Sequence, residues 1–594
     1  MQLPDEILTE IFDLAADEDV IFQYGLPTVM AEAAWFKNVM DQWALRTPRE
    51  AINIVQRRSY ATKKAIMLTC KSWRRLGSEF LYRCLFFDNP SKLHLLCKIL
   101  ESHAEAQKEA LNPSVGLGWW TKRIHLSHYY VHIPNKDNAP NEEIAQEDMC
   151  NALTTIIKHC PNLSIFIVDG LMPSKTFGLV ADSLFQHTRK ALHTVHWRVP
   201  AETIPKVIWA LDSLPLVLAA HIEFDPATPT TELHESLHLG SAQDITLNLP
   251  YLQQLTLRGS FAEFLEQASG WNLPGLRNIS FDYGSVVDIP DIIGFLEIHG
   301  EELNVLDLDS VLPVDVPEIL ELCPQLEVFS FNADWRFQTP TLPAATSDDE
   351  ADEDASRGRR RQSNTMRLSL GSQSEMSILT HTPHPRIHTI GLHGLLHAFG
   401  VGHFAKYVSR DPIRSRVTRR SNDLNFAALN RVQFPHLRCV RVLSRTLLND
   451  LNAEDGPQQN EENDGMERWE KWWNGCTNMG VRLEDCTGGE LGRLPEDDED
   501  GEIEDQGDDS GESSSEEYSD EEEWEYEVPP IEEEDEEEDD RPHVLELRQL
   551  LRECQAMAED RDDSSPFAQF IGPALNIPLT GVTEDASKVS EISV

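Results

Sequence analysis

His393, His397 and His403, in the stretch HGLLHAFGVGH, have the spacing of a zinc site: the first two fall one helical turn apart, and the third follows after a turn. A zinc hydrolase also needs a carboxylate beside the first histidine, to take the proton of the metal-bound water. That position is Gly394, which also weakens the helix that should present the ligands. Six histidines lie between His381 and His403, so the spacing arises readily by chance. The stretch reads better as a helix start with Leu395, Leu396 and Phe399 inward, and a zinc-binding hydrolase around His393, His397 and His403 stands as a remote alternative.

Other catalytic patterns are missing. There is no phosphate-cradling glycine loop, nucleophile elbow or dinucleotide fingerprint, and the ten cysteines show no paired CxxC spacing. The chain therefore reads as a non-enzyme, with no catalytic, cofactor-binding or metal-ligating residue and no cofactor. Its chemistry is expected to be binding.

The elements that could position a binding surface begin at the first residue. In MQLPDEILTEIFDLA, Pro4 suits a helix start, Asp5 and Glu6 favour the positive end of the helix dipole, and Ile7, Leu8, Ile11, Phe12 and Leu14 form one apolar face. Three turns are too few for stability alone, so partners are required. AEAAWFKNVMDQWAL is read as helical, with Trp35, Phe36, Val39, Met40 and Trp43 on one side. KKAIMLTCKSWRRLGSEFLYRCLFF carries another stripe through Ile66, Met67, Cys70, Trp73 and Leu76, with Gly77 as a break.

LPDEILTEIFDLA resembles the first helix of an F-box, and LTCKSWRRLGSEFLYRCLFF resembles its second half. The resemblance covers about 40 residues, and an insertion at about 17–64 separates the halves, where the family has a short connection. It implies a small all-α module that docks a Skp-type adaptor, and through it a cullin scaffold. By the same resemblance Leu3, Pro4, Ile7, Leu8, Ile11, Phe12, Trp73 and Leu81 are the adaptor-facing or motif-core positions.

Beyond Phe87 a phrase recurs: a Leu or Ile, two residues, then two apolar residues separated by one. It appears as Leu163, Phe166, Val168; Leu192, Val195, Trp197; Leu252, Leu255, Leu257; and Leu276, Ile279, Phe281. It continues as Leu303, Leu306, Leu308; Leu326, Phe329, Phe331; Ile387, Ile390, Leu392; and Leu437, Val440, Val442. From Leu252 to Leu326 the offsets are 24, 27 and 23 residues, within the window of leucine-rich repeats. ALTTIIKHC, IPKVIWALDSL, DIIGFLEIHG and VPEILELC carry helical spacing between the phrases. Helix then strand, repeated, predicts a solenoid in which each unit buries its apolar side on its neighbours.

The regularity fails at about 339–377, rich in Ser, Asp and Arg and read as a disordered insertion. It fails again in the acidic run: 28 of the 45 residues from Glu496 to Asp540 are Asp or Glu, over half of the net charge of -50. Trp524 and Tyr526 are isolated aromatics within it, and Val544, Leu547, Leu550, Leu551, Cys554 and Met557 mark a helix beyond it. A field of this sign disfavours nucleic acid, although RGRRR at 357–361 and RSRVTRR at 414–420 are local basic patches that could serve nuclear import. No apolar run suits a membrane span or signal peptide, so a cytoplasmic or nuclear location is expected.

The expected fold is α/β: small all-α helices at 1–90, then an irregular leucine-rich-repeat-like solenoid at 91–475. An acidic disordered segment at 476–542, an amphipathic helix at 543–560 and a flexible tail at 561–594 follow. The expected function is that of a substrate-recognition adaptor in an SCF-type cullin-RING ubiquitin ligase, with the repeats holding a protein substrate. The alternative from another class is a leucine-rich-repeat interaction scaffold without a ligase connection.

Overall fold

A computed structural model describes residues 4–16, 18–37, 43–87, 92–109, 116–127, 139–226, 242, 245–283, 290–309, 316–334, 379–395, 412–445, 447–448 and 465–489. Leu3, His397, His403, the 339–377 insertion, the run beyond 489, the 543–560 helix and the 561–594 tail lie outside the described residues. The chain divides into two compact units, and every described residue belongs to the first, Met1–Arg493 with Ser565–Val594.

Helix α1 (Asp5–Ala15) opens after Pro4 with Asp5 and Glu6 in its first turn, and a single turn, α2 (Glu18–Ile21), follows. The helix expected around residues 31–45 is absent. Strands β1 (Ala34–Lys37) and β2 (Trp43–Arg46) pair antiparallel there, Ala34 opposite Arg46 and Lys37 opposite Trp43. Cross-strand contacts explain the choice: Lys37 lies over the Trp43 ring, Arg46 over the Phe36 ring, and Trp35 meets Trp43 edge to face.

Thr47 caps helix α3 (Pro48–Thr69) with a full capping box, its hydroxyl accepting from Glu50 N while the Glu50 carboxylate accepts from Thr47 N. Cys70 is extended, which separates α3 from helix α4 (Lys71–Arg83). Gly77, expected to break this helix, lies inside it and is buried. A Cβ there would stand 3.1 Å from Met67 Cγ and 3.2 Å from Ile66 Cγ2, so glycine serves the close approach of α4 to α3.

From β3 onward strands and helices alternate, except that no helix is described between β7 and β8 or between β11 and β12. In order come β3 (Cys84–Phe87), α5 (Lys92–Glu109), β4 (Arg123–Leu126), α6 (Ala139–His159), β5 (Ile165–Leu171), α7 (Ser174–Thr188), β6 (Thr194–Pro200), α8 (Ile204–Asp212) and β7 (Ala219–Asp225). Next are β8 (Gln254–Gly259), α9 (Ala262–Ser269), β9 (Asn278–Tyr283), α10 (Ile292–His299), β10 (Val305–Leu308), α11 (Val316–Leu322) and β11 (Val328–Asn332). The series closes with β12 (Thr389–His393), α12 (Pro412–Ala428), β13 (Cys439–Val442), α13 (Gly465–Met479) and β14 (Arg482–Glu484).

Strands β3 to β14 form one 12-stranded parallel sheet, each pairing with its neighbours in chain order. The fold is therefore mixed α/β, and the register shows why the recurrent phrase builds it. Aligned positions in successive strands carry Phe166, Val195, Ala220, Leu255, Ile279, Leu306, Phe329, Ile390, Val440 and Leu483, all buried. Two residues on, Trp197, Ile222, Leu257, Phe281, Leu308, Phe331, Leu392 and Val442 align likewise. Alternation places both rows on one side of the sheet, where Trp197 meets Phe177 of α7, Phe224 meets Phe264 of α9 and Phe281 meets Phe295 of α10.

Two boundaries shift. Cys84–Phe87, within the expected all-α helices at 1–90, are the edge strand β3 of the sheet. Residues 476–489 belong to the sheet domain rather than to the acidic segment, because Cys476, Val481, Leu483 and Cys486 are buried in the main core and β14 pairs with β13. Among the described residues no helix is long and apolar enough to cross a membrane.

Candidate functional site

The N-terminal helices make a small core of their own. Leu8, Phe12 and Phe80 are buried together, with Ile66, Trp73 and Leu76 packed against them. Phe12 meets Trp73 edge to face at 5.1 Å between ring centroids and Phe80 at 6.0 Å. Arg75 of α4 pairs with Asp5 of α1, and Arg83 pairs with Asp13 while covering the Phe80 ring at 4.0 Å.

This sorts the residues expected to face a partner. Leu8 and Phe12 are core, Trp73 is half-buried against Phe12, and Leu81 is half-buried without joining that cluster. Pro4 is exposed at the helix start. Ile7, Ile11 and Leu14, spaced one turn apart along α1, are 43%, 45% and 70% exposed, so the outward apolar stripe is carried by these three.

A second surface lies on the side of the sheet away from the helices. Most aligned positions there carry polar groups, His125, His196, His221, Thr256, Ser280, Asp307, Ser330, Arg441 and Glu484, with Ile167 of β5 and Gly391 of β12 the exceptions from β4 to β14. Residues 21–33, part of the N-terminal insertion, run across this face. Arg123 of β4 donates to Ile21 O at 2.7 Å, and the Thr194 hydroxyl of β6 donates to Tyr24 O. Gln254 of β8 clamps Leu26 from both sides, its carbonyl accepting from Leu26 N at 2.9 Å and its amide donating to Leu26 O at 3.1 Å. Arg441 of β13 donates to Met30 O at 2.7 Å and to the Glu32 carboxylate at 3.1 Å, and Ala33 N donates to Cys486 O just past β14.

The path has a geometric consequence. From Tyr24 to Ala33 a fully extended chain spans at most about 32 Å, and Ala31 N→Thr28 O makes a turn within it. The sheet between β6 and β14 has eight strand intervals, about 38 Å along its arc. The segment therefore crosses this face by a near-direct path, held at its ends by the reach of the Thr194 side chain and by Ala33 N.

Helix α3 closes the β4–β6 end of this groove with a relay of polar contacts. Arg123 Nε donates to Gln56 Oε1, Gln56 Nε2 donates to His125 Nδ1 at 2.9 Å, and His125 Nε2 reaches Asp169 Oδ2 at 3.0 Å. The neutral imidazole with its proton on Nε2 satisfies both neighbours. Arg49 completes the relay by pairing with Asp169. Burial resists ionisation of Asp169, but the His125 hydrogen bond together with Arg49 holds its carboxyl below the usual range. Burial pushes His196 well below its ordinary value, helped by His221 and Arg49, and burial with Arg258 and Arg49 pushes His221 down to about 3.

At the β10–β12 end, His393 stands between two carboxylates, Nε2 at 2.7 Å from Asp307 Oδ1 and Nδ1 at 3.2 Å from Asp309 Oδ1. Burial acts to lower its pKa, but the charge and hydrogen bond of Asp307 and the charge of Asp309 carry it above the ordinary value. An imidazole presenting N–H to both carboxylates offers no lone pair to a metal. His393 also ends a strand, and Gly394 and Leu395 follow at φ 74° and 68°, so no helix carries it toward His397. The zinc geometry therefore fails at its first ligand. Among the described residues no cluster of three or more His, Cys, Asp or Glu side chains could hold a metal ion.

The groove residues Arg123, Thr194, Gln254 and Arg441 and the segment lying on them carry no local sequence signal. Contact between Leu26 and Gln254 spans 228 residues and that between Met30 and Arg441 spans 411. What this arrangement does chemically is hold an irregular polypeptide segment, largely by its backbone. Compared with models of known protein families, the chain matches none, and no curated protein matches its sequence.

Proposed function

We propose that this chain is a substrate-recognition adaptor of an SCF-type cullin-RING ubiquitin ligase. Its N-terminal helices would be an F-box that docks a Skp-type adaptor, and its parallel sheet with flanking helices an irregular leucine-rich-repeat-like solenoid that holds a protein substrate. The observation that supports this reading is the Phe12–Trp73 contact: two sequence halves separated by a long insertion share one core and leave Ile7 and Ile11 facing out. Catalysis in such a complex belongs to other subunits, and the adaptor contributes proximity of substrate to the conjugating enzyme.

The test is co-purification of the intact chain with a Skp-type adaptor. Ile7→Asp with Ile11→Asp should abolish it while leaving thermal unfolding unchanged. Charges at Leu8 or Phe12 are poor probes, since both are buried and their replacement disrupts the module itself.

The non-ligase scaffold also has an observation in its favour. Strand β3 follows α4 without a break, so the helical module abuts the edge strand of the sheet as a cap does. Folded chain that never retains a Skp-type adaptor would favour that reading.

A further inference from the structure

The segment lying in the groove has the properties of a bound peptide. Every residue from Phe22 to Glu32 is half-buried, with one side on the sheet and the other toward solvent. Its polar contacts to Arg123, Thr194 and Gln254 go to its backbone, and such contacts tolerate changes of side chain. Side-chain demands fall at few places. Lys122 lies over the Phe22 ring at 5.5 Å, Tyr24 packs on His193 at 4.7 Å between centroids, and the Glu32 carboxylate meets Arg441. Between these, Leu26 sits in the Gln254 clamp and Pro27 follows it.

The resulting pattern is aromatic-x-Tyr-x-aliphatic-Pro-x-aliphatic-x-x-Glu, written here as FQYGLPTVMAE. The chain contains it a second time, as WEYEVPPIEEE, from Trp524 to Glu534. Trp524 corresponds to Phe22, Tyr526 to Tyr24, Val528 to Leu26, Pro529 to Pro27, Ile531 to Val29 and Glu534 to Glu32. At no other tyrosine of the chain is there an aromatic two residues before and an aliphatic-Pro pair two residues after. Gly25, where the second copy has Glu527, is not among the glycines with positive φ, so its backbone accepts a side chain. The copies differ most at Met30, beside Ser330, where the second has Glu532. Residues 524–534 lie outside the described residues, so the likeness is one of sequence.

We propose that the groove across the polar face of the sheet is an exchangeable peptide site, and that the sequence Trp524–Glu534 is its second ligand. A peptide of this sequence would seat its tryptophan and tyrosine beside Lys122 and His193, its valine in the Gln254 clamp and its last glutamate on Arg441. Residues 21–33 and this sequence then compete, and the occupant decides whether the N-terminal insertion is tied to the sheet. The inference is independent of adaptor docking, since no residue of the α1 stripe takes part.

The test titrates a fluorescent synthetic peptide of residues 522–536 into the full chain carrying Trp524→Ala and Tyr526→Ala, which removes the internal copy, with anisotropy as readout. Saturable binding is expected. Adding Tyr24→Ala should tighten it about five-fold or more, because a weakened occupant leaves a larger share of the protein competent to bind. On that Tyr24→Ala background, where the resident segment no longer competes, Gln254→Ala should weaken it about ten-fold, as should Tyr526→Ala in the peptide, a change that leaves the protein's folding untouched. Absence of binding, equal binding of a shuffled peptide of the same composition, or indifference to both Tyr24→Ala and Gln254→Ala would overturn the proposal.

Discussion

Phe12 and Trp73 lie on opposite sides of the 17–64 insertion in sequence and meet edge to face at 5.1 Å. The insertion leaves this core alone. Its first part crosses the sheet as residues 21–33, its hairpin follows, and α3 returns to supply Ile66. Phe12→Ala should therefore destabilise the helical module by about 3–5 kcal/mol. Hydrogen exchange is the check: amides of α1 and α4 should lose protection, while those of β6 to β11 keep theirs.

Arg441 joins the insertion to the far end of the sheet, its guanidinium contacting Met30 O, Glu32 and the buried Glu484. Arg441→Ala leaves the buried Glu484 carboxylate, among the described residues, only the exposed Arg482 as a charge partner and should cost about 3 kcal/mol in denaturant unfolding. Arg441→Lys should recover only part of this, because an ammonium cannot present the fork that reaches all three partners.

The two ends of the groove respond oppositely to pH. His393 has a raised pKa, so its stabilisation is complete below the unfolded value of about 6.5 and is lost as pH rises through the folded value. His196 has a lowered pKa, so the unfolded chain takes up its proton first and stability falls as pH drops below about 6.5. Unfolding followed across pH should show His393→Gln flattening the alkaline limb and His196→Gln flattening the acidic one.

Much of the sheet was legible because each strand repeats one local rule. The eight phrases from Leu163 to Val442 correspond to β5, β6 and β8 to β13. Strand β7 escapes notice because its first inward residue is Ala220, and β4 because Thr121 stands where the leading Leu is expected. The hairpin at 34–46 departs from the helix its sequence suggests because its aromatics suit either period, and cross-strand contacts decide between them. On the site, Leu8 and Phe12 are periodic and readable as a face, but only packing shows that they point inward and Ile7 and Ile11 outward. The groove could not be read, because residues 21–33 have no periodicity and their partners are remote in sequence.

The central claim is adaptor docking through α1, and affinity purification tests it directly. The intact chain should retain a Skp-type adaptor at near-equimolar yield, and the Ile7→Asp, Ile11→Asp chain should lose it with its unfolding transition unchanged. Equal retention by the doubly charged chain, or no retention by the intact one, would contradict the account.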